Sequence, residues 1–242
     1  MGEYDPGLSL PRPLWLDGLL PFEIADVLRR RWPGAVEAVA AARRLIPPTP
    51  REVWPEQALA LAVLARAYDA DGAGFLEIGT ATGYSAAVLA LAAPRATLWT
   101  LNPSTVEHPY AAENLRPLGE RVRPLNIDSR SHWLATSEDP PLDLVFVDGD
   151  HRVAAVGYDC RWHWRLRPGG LIVFHDYSPA WSRRPTPSVI EAVDAFAAVL
   201  GRGPDVLVRE DSGVALVGFL RRGDDPPLER YLAPPTPEEE TP

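Results

Sequence analysis

Lysine is absent from this chain of 242 residues; all 24 of its basic side chains are arginine. That absence removes the phosphate-binding P-loop, whose G-K-[ST] element needs a lysine. Cysteine is almost absent too. A single Cys160 can form no internal disulfide and cannot build a Cys-rich zinc site. No run of about 18 apolar residues occurs, so no transmembrane helix and no membrane partner are expected. There is no extended basic stripe and the net charge is −9, which argues against a nucleic-acid partner. Met1–Pro11 is acidic and proline-bearing, unlike a secretory signal. These absences lead to the expectation of a cytoplasmic protein.

The charge is unevenly spread. Residues 223–242 hold six acids against Arg230, a balance of −5 that leaves −4 for the rest. This acidic, proline-rich stretch is expected to be a disordered tail. At the other end, residues 1–54 are expected to form a helical lid or extension, with helices over 22–31 and 34–45 stopped by Pro47, Pro48 and Pro50. Trp15, Trp32 and Trp54 could line such a lid or belong to the core. Residues 55–222 are expected to form the main domain. Glu56–Tyr68 is an amphipathic helix.

From Gly74 onward short apolar runs alternate with helical stretches. Strands are expected near 74–79, 97–101, 122–126, 142–147 and 170–175. Helices are expected near 84–92, 105–116, 129–136 and 152–166, and again near 188–200. Val206–Arg209 and Val214–Leu220 flank Asp211-Ser212-Gly213, a hairpin signal. The fold class expected is α/β: a Rossmann-like, doubly wound, seven-stranded sheet, mostly parallel, with a C-terminal antiparallel hairpin.

The most informative stretch is Phe75-Leu-Glu-Ile-Gly-Thr-Ala-Thr-Gly-Tyr-Ser85. A buried strand runs into a glycine turn and then a helix, whose first N–H groups are free and whose dipole is positive. Dinucleotide folds use G-x-G-x-x-G at this corner. Here the spacing is E-x-G-x-x-x-G, with Ala81 where a middle glycine would stand. This resembles motif I of the class I S-adenosylmethionine (SAM) methyltransferases. The resemblance implies SAM as cofactor, held by Glu77, Gly79, Thr80, Gly83, Tyr84 and Ser85.

Ligands of open α/β sheets bind beyond the carboxyl ends of the strands. The second strand ends at Asn102, where the resembling family usually places an acid for the ribose hydroxyls. An amide can accept one such bond and donate another, but carries no charge. The third ends at Asn126-Ile127-Asp128-Ser129, similar to the family's adenine-facing segment. Asp128 and Ser129 are equally a helix N-cap. The fourth ends at Val147-Asp148-Gly149-Asp150-His151 and the fifth at His175-Asp176-Tyr177.

These two ends sharpen the resemblance to small-molecule O-methyltransferases of the catechol, caffeoyl-CoA and macrolide-sugar kind, over roughly residues 55–220. The resemblance implies a hydroxylated small-molecule acceptor. It also implies two ways of activating it. In metal-dependent members acids at these ends hold Mg²⁺; by position these are Asp148 and Asp176, with His175 as a third candidate. Catechol-type members have Asp-Asn at the fifth end, whereas this chain has Asp176-Tyr177, and magnesium prefers oxygen to imidazole. In sugar-modifying members the histidine at the position of His151 is the general base, and Asp148 could then face the SAM amino group without a metal. Both readings stay open on the sequence. A homodimer is the assembly that a lidded chain of this kind suggests. The competing classes are a non-catalytic SAM-binding protein, hinted at by Asn102, and a nicotinamide oxidoreductase, opposed by the missing G-x-G-x-x-G.

Overall fold

Side chains along the central strands alternate between two buried layers, as a period of two requires. Phe75, Leu144, Phe146, Leu171 and Val173 enter one layer, and Leu76, Ile78, Val145, Val147, Ile172 and Phe174 the other. The computed structural model describes residues 33–49, 52–136, 141–177, 188–210 and 213–232. The strands are β1 (Gly74–Ile78), β2 (Thr97–Leu101), β3 (Val122–Leu125), β4 (Leu142–Val147), β5 (Leu166–His175), β6 (Val206–Glu210) and β7 (Gly213–Leu220). They form one sheet in the order β3-β2-β1-β4-β5-β7-β6. β1 to β5 pair in parallel, and β7 is antiparallel to both β5 and β6. The expected sheet is therefore the observed one.

One layer is covered by α1 (Pro33–Leu45), α2 (Pro55–Ala67) and α3 (Tyr84–Ala92). Their alanines let the backbones approach closely: Ala35 and Ala42 of α1 and Ala58, Ala62 and Ala65 of α2 are fully buried. Arg43 of α1 stacks 3.8 Å over the Tyr84 ring and pairs with Glu52 at 2.6 Å. The described parts of the expected lid, 33–49 and 52–54, thus share the core of the sheet. α4 (His108–Leu115) and α5 (Ser129–Ala135) follow β2 and β3. The second layer is covered by α6 (Val153–Asp159), α7 (Ser188–Leu200) and α8 (Leu228–Leu232). Phe196 of α7 meets the rings of Phe219 at 5.1 Å and Phe174 at 5.9 Å.

Three expectations change. The helix expected over 152–166 is α6 followed by a 3₁₀ stretch, Cys160–Arg165. In a 3₁₀ helix residues three apart eclipse, and Cys160 and His163 are both fully buried. β5 starts at Leu166 instead of 170, because Leu142 pairs with Leu166 before the register shifts to Leu144 and Leu171. The third change concerns the tail. Residues 223–232 pack on the body. Asp225 lies 2.8 Å from His163 Nε2, 3.0 Å from Arg202 and 3.1 Å from Arg221. Trp164 Nε1 donates to Pro226 O at 2.8 Å, and Tyr231 Oη to Gly157 O at 2.6 Å. Asp225, counted with the charge of the tail, is here paired with Arg202 and Arg221. Residues 233–242, the expected helix over 22–31, Trp15, Trp32 and the Asp211-Ser212 turn lie outside the described residues. No helix among the described residues is long and apolar enough to cross a membrane.

Candidate active site

The chain winds from β1 outward to β2 and β3, then returns to β4 on the other side of β1. That reversal opens a crevice at the carboxyl ends of β1 and β4. It is a cleft of about 1030 Å³. Gly79, Thr80, Tyr84, Ser85, Asn102, Asp128, Ser129, Asp148, His151, His175 and Asp176 all line it; Glu77 and Gly83 do not.

Gly79 has φ +105°, and a Cβ there would stand 2.0 Å from Asp148 O and 2.8 Å from Gly149 N. What demands glycine at this corner is the neighbouring strand end. Asp148 N donates to Ile78 O at 2.8 Å, which clamps the two together. Gly83, at φ +97°, caps α3. Ala81 holds φ +43° without being glycine, which keeps the turn closed at some conformational cost. Behind the turn, Glu77 is fully buried. Its Oε2 accepts from Thr100 Oγ1, which lies 2.6 Å from Thr80 Oγ1. Burial pushes the Glu77 carboxyl up to about 7. Glu77 therefore braces the turn from beneath and is not itself exposed to the cleft.

Asn102 does not stand free at the end of β2. Its Oδ1 accepts from Ser104 N at 2.9 Å and its Nδ2 donates to Glu107 Oε2 at 3.1 Å. Ser104 Oγ accepts from Glu107 N at 3.1 Å. These bonds curl the loop so that Glu107 lines the cleft beside Asn102. Sequence reasoning missed Glu107; a search for any carboxylate within one turn of the strand end would have found it. Asp128 does cap α5, accepting from Ser131 N at 2.9 Å and Ser131 Oγ at 2.7 Å, which hold its carboxyl low. Ser129 Oγ accepts from Trp162 Nε1 at 2.8 Å. Asp159, also missed, lines the same end of the cleft, with its carboxyl pushed up to about 7 by burial.

The ends of β4 and β5 gather two carboxylates and two imidazoles into a candidate reactive edge. His151 Nε2 lies 3.3 Å from Asp176 Oδ2 and 3.7 Å from Asp148 Oδ1. His175 Nδ1 lies 3.0 Å from Asp148 Oδ1 and 3.2 Å from Asp176 Oδ1. Neither of these last two contacts has the angle of a directed hydrogen bond, so they are ion-pair contacts. His175 Nε2 faces Gln57 Oε1 at 2.9 Å. Asp176 itself sits at φ +55°, a left-handed conformation that aspartate tolerates better than most residues. Burial pushes the Asp148 carboxyl up, but His175 and His151 outweigh it and hold it below the usual range. Attraction to Asp148, opposed by burial and aided by Asp176, raises His151 above its ordinary value. Burial opposes the charge on His175, yet the two carboxylates push it up to about 10.

The sequence offered Asp148, Asp176 and His175 as candidate metal ligands, and the geometry gathers a candidate group of three. Asp148, His151 and Asp176 bring ligand atoms within 4.8 Å of one another. His175 is not in that group; its Nε2 faces Gln57 and its Nδ1 lies against both carboxylates.

Comparison with known proteins points to one class of enzyme. Residues 76–177 match the family model described as a methyltransferase domain. A mouse protein, catechol O-methyltransferase domain-containing protein 1, is 36% identical over 124 residues, which cover 48% of this chain and 46% of that one. The chain thus spans about half the length of this curated relative. An O-methyltransferase from Bacillus cereus, solved with S-adenosylhomocysteine (SAH), superposes with a TM-score of 0.59 at 21% identity, covering 77% of this chain and 90% of that one. An O-methyltransferase from Streptomyces achromogenes involved in tomaymycin synthesis, solved with SAM, gives 0.57 at 26% identity, covering 77% and 89%. The chain is similar in sequence and in fold to the class I small-molecule O-methyltransferases.

Proposed function

We propose that this class I methyltransferase domain transfers the SAM methyl group to a hydroxyl of a small molecule, with His151 as general base. The observation that carries the reading is the edge formed by Asp148, His151 and Asp176, set in the same cleft as the glycine turn. The residues present fit SAM. The cleft is large enough for a nucleoside and an acceptor together. Glu107, held by Asn102, supplies at the end of β2 the carboxylate that a ribose diol needs. Asp128 and Ser129 lie at the expected adenine end.

SAM supplies an electrophilic methyl when bound. The acceptor oxygen would take that methyl with neutral sulfide as the leaving group, and its proton would pass to Nδ1 of His151, because Nε2 faces the two carboxylates and carries the N–H. Asp176 at 3.3 Å and Asp148 at 3.7 Å then stabilise the imidazolium that forms. His175, already placed against both carboxylates, keeps the pair from repelling each other. A base must start neutral, and the carboxylates raise His151 above 6.5. Activity should therefore rise with pH through that raised value.

A second reading is favoured by the same three residues. Two carboxylates and one imidazole could hold a divalent cation, and the nitrogen donor suits Mn²⁺ better than Mg²⁺. Such an ion would acidify the acceptor hydroxyl. A neutral His151 imidazole has one lone pair, which cannot both bind the ion and take the proton, so the readings exclude each other.

The test is transfer of labelled methyl from SAM to catechol, with and without EDTA, alongside calorimetry with SAH. His151→Ala should cost about 10²–10⁴ in rate with EDTA harmless, if His151 is the base. Loss of activity in EDTA with recovery in Mn²⁺ or Mg²⁺ selects the metal. Binding of SAH with no transfer to any hydroxylated acceptor tried would favour a non-catalytic SAM-binding protein. No heat with SAM or SAH would remove the methyltransferase reading.

A further inference from the structure

Gln57 lies in the first turn of α2, is 3% exposed, and belongs to neither of the motifs that line the cleft. Its Oε1 accepts two hydrogen bonds. One comes from the backbone N–H of Trp54 at 2.7 Å, the other from Nε2 of His175 at 2.9 Å. The first bond decides the second. A backbone N–H can only donate, so the atom facing Trp54 is the amide oxygen and not the amide nitrogen. The same oxygen faces His175, so His175 Nε2 must carry a hydrogen. The ring is then oriented with its other nitrogen, Nδ1, against Asp148 and Asp176.

We propose that Gln57 is a positioning residue. It fixes the orientation of His175 through Nε2–H, and so ties the carboxylates at the ends of β4 and β5 to the segment Glu52–Gln57. That segment walls the cleft, where the Trp54 side chain is half exposed. Capping α2 requires only the bond from Trp54, and a glutamine three residues into a helix commonly makes it. The bond to His175 is additional: it spans 118 residues of sequence and joins the first turn of α2 to the reactive edge. An acceptor pressing on Trp54 would act on the same turn that aims His175. The proposal uses the methyl-transfer reading only for what the edge does; the hydrogen-bond geometry stands apart from it.

The test reads the imidazole nitrogens directly, by NMR on full-length protein labelled at histidine, with the His175 signals assigned by their loss in His175→Asn. In wild type, Nε2 of His175 should carry a slowly exchanging hydrogen with a resolved one-bond coupling. Gln57→Leu should lose that signal to exchange, and Gln57→Glu should keep it and shift it further downfield, because a charged acceptor strengthens the bond. A bare Nε2 on wild-type His175 would overturn the proposal. So would a Gln57→Leu spectrum unchanged at this ring. Should Gln57→Leu fail to fold, wild type and Gln57→Glu still decide, since an unmoved Nε2 signal in Gln57→Glu refutes the contact. SAH titrated calorimetrically into wild type tests the methyl-transfer reading separately; no heat there would remove that reading and leave the NMR result standing.

Discussion

Replacing Gly79 by alanine should injure the fold and the reactive edge together. The new Cβ would stand 2.0 Å from Asp148 O and 2.5 Å from Asp148 C, backbone atoms that cannot swing away as a side chain would. At φ +105° the alanine is also held where L-residues are strained, at about 1–3 kcal/mol. Relief of the clash stretches the bond from Asp148 N to Ile78 O, worth about 0.5–1.5 kcal/mol. The total is roughly 2–4 kcal/mol, which for a chain of this size lowers Tm by roughly 5–15 °C. The movement also carries Asp148 away from His151 and His175, so affinity for SAH should fall with stability. Gly83→Ala is the control. It has a comparable φ of +97°, but the atoms nearest its Cβ would be those of the Leu115 side chain, at 3.0–3.3 Å, and that side chain can yield. The assay is thermal melting and SAH calorimetry on both variants. If Gly79→Ala melts with wild type, or suffers no more than Gly83→Ala, the close approach of the two strand ends is not what requires glycine.

Glu107→Gln should weaken SAH binding about 10- to 100-fold by calorimetry, the loss of charged hydrogen bonds to a ribose diol. Asn102→Ala should weaken it less, since Asn102 acts by holding Glu107. His163 is fully buried and its value is pushed down to about 4, first by burial. A depressed histidine contributes stability that is complete above 6.5 and is lost as pH falls toward 4, because only the unfolded chain takes up the proton there. Denaturant titrations should show roughly 3 kcal/mol of that loss in wild type and not in His163→Gln. Asp225→Ala should cost about 1–3 kcal/mol in the same assay, because it removes Asp225 as the counter-ion of Arg221 and leaves Arg202 to Asp205; no change would mean that residues 223–232 do not pack on the body.

The sequence by itself determined the sheet, the switch-point crevice and the two motif-bearing strand ends. Those follow from local signals: apolar runs of strand length, glycine where φ must be positive, and acids placed where a strand stops. They locate residues along a strand and say little about where an end-of-strand side chain turns. The tertiary structure decided the rest. Asp176 leaves β5 at φ +55°, and that dihedral brings its carboxylate to His151 while His175 turns toward Gln57. Asn102 looked like a weakened ribose ligand until the loop folded and set Glu107 beside it. Asp225 counted as solvated charge until Arg202, Arg221 and His163 closed around it. Each of these is a pairing between polar groups distant in the chain or turned by a single dihedral. Such pairings leave no periodic trace in sequence, because only the packed layers bring their members within hydrogen-bonding distance.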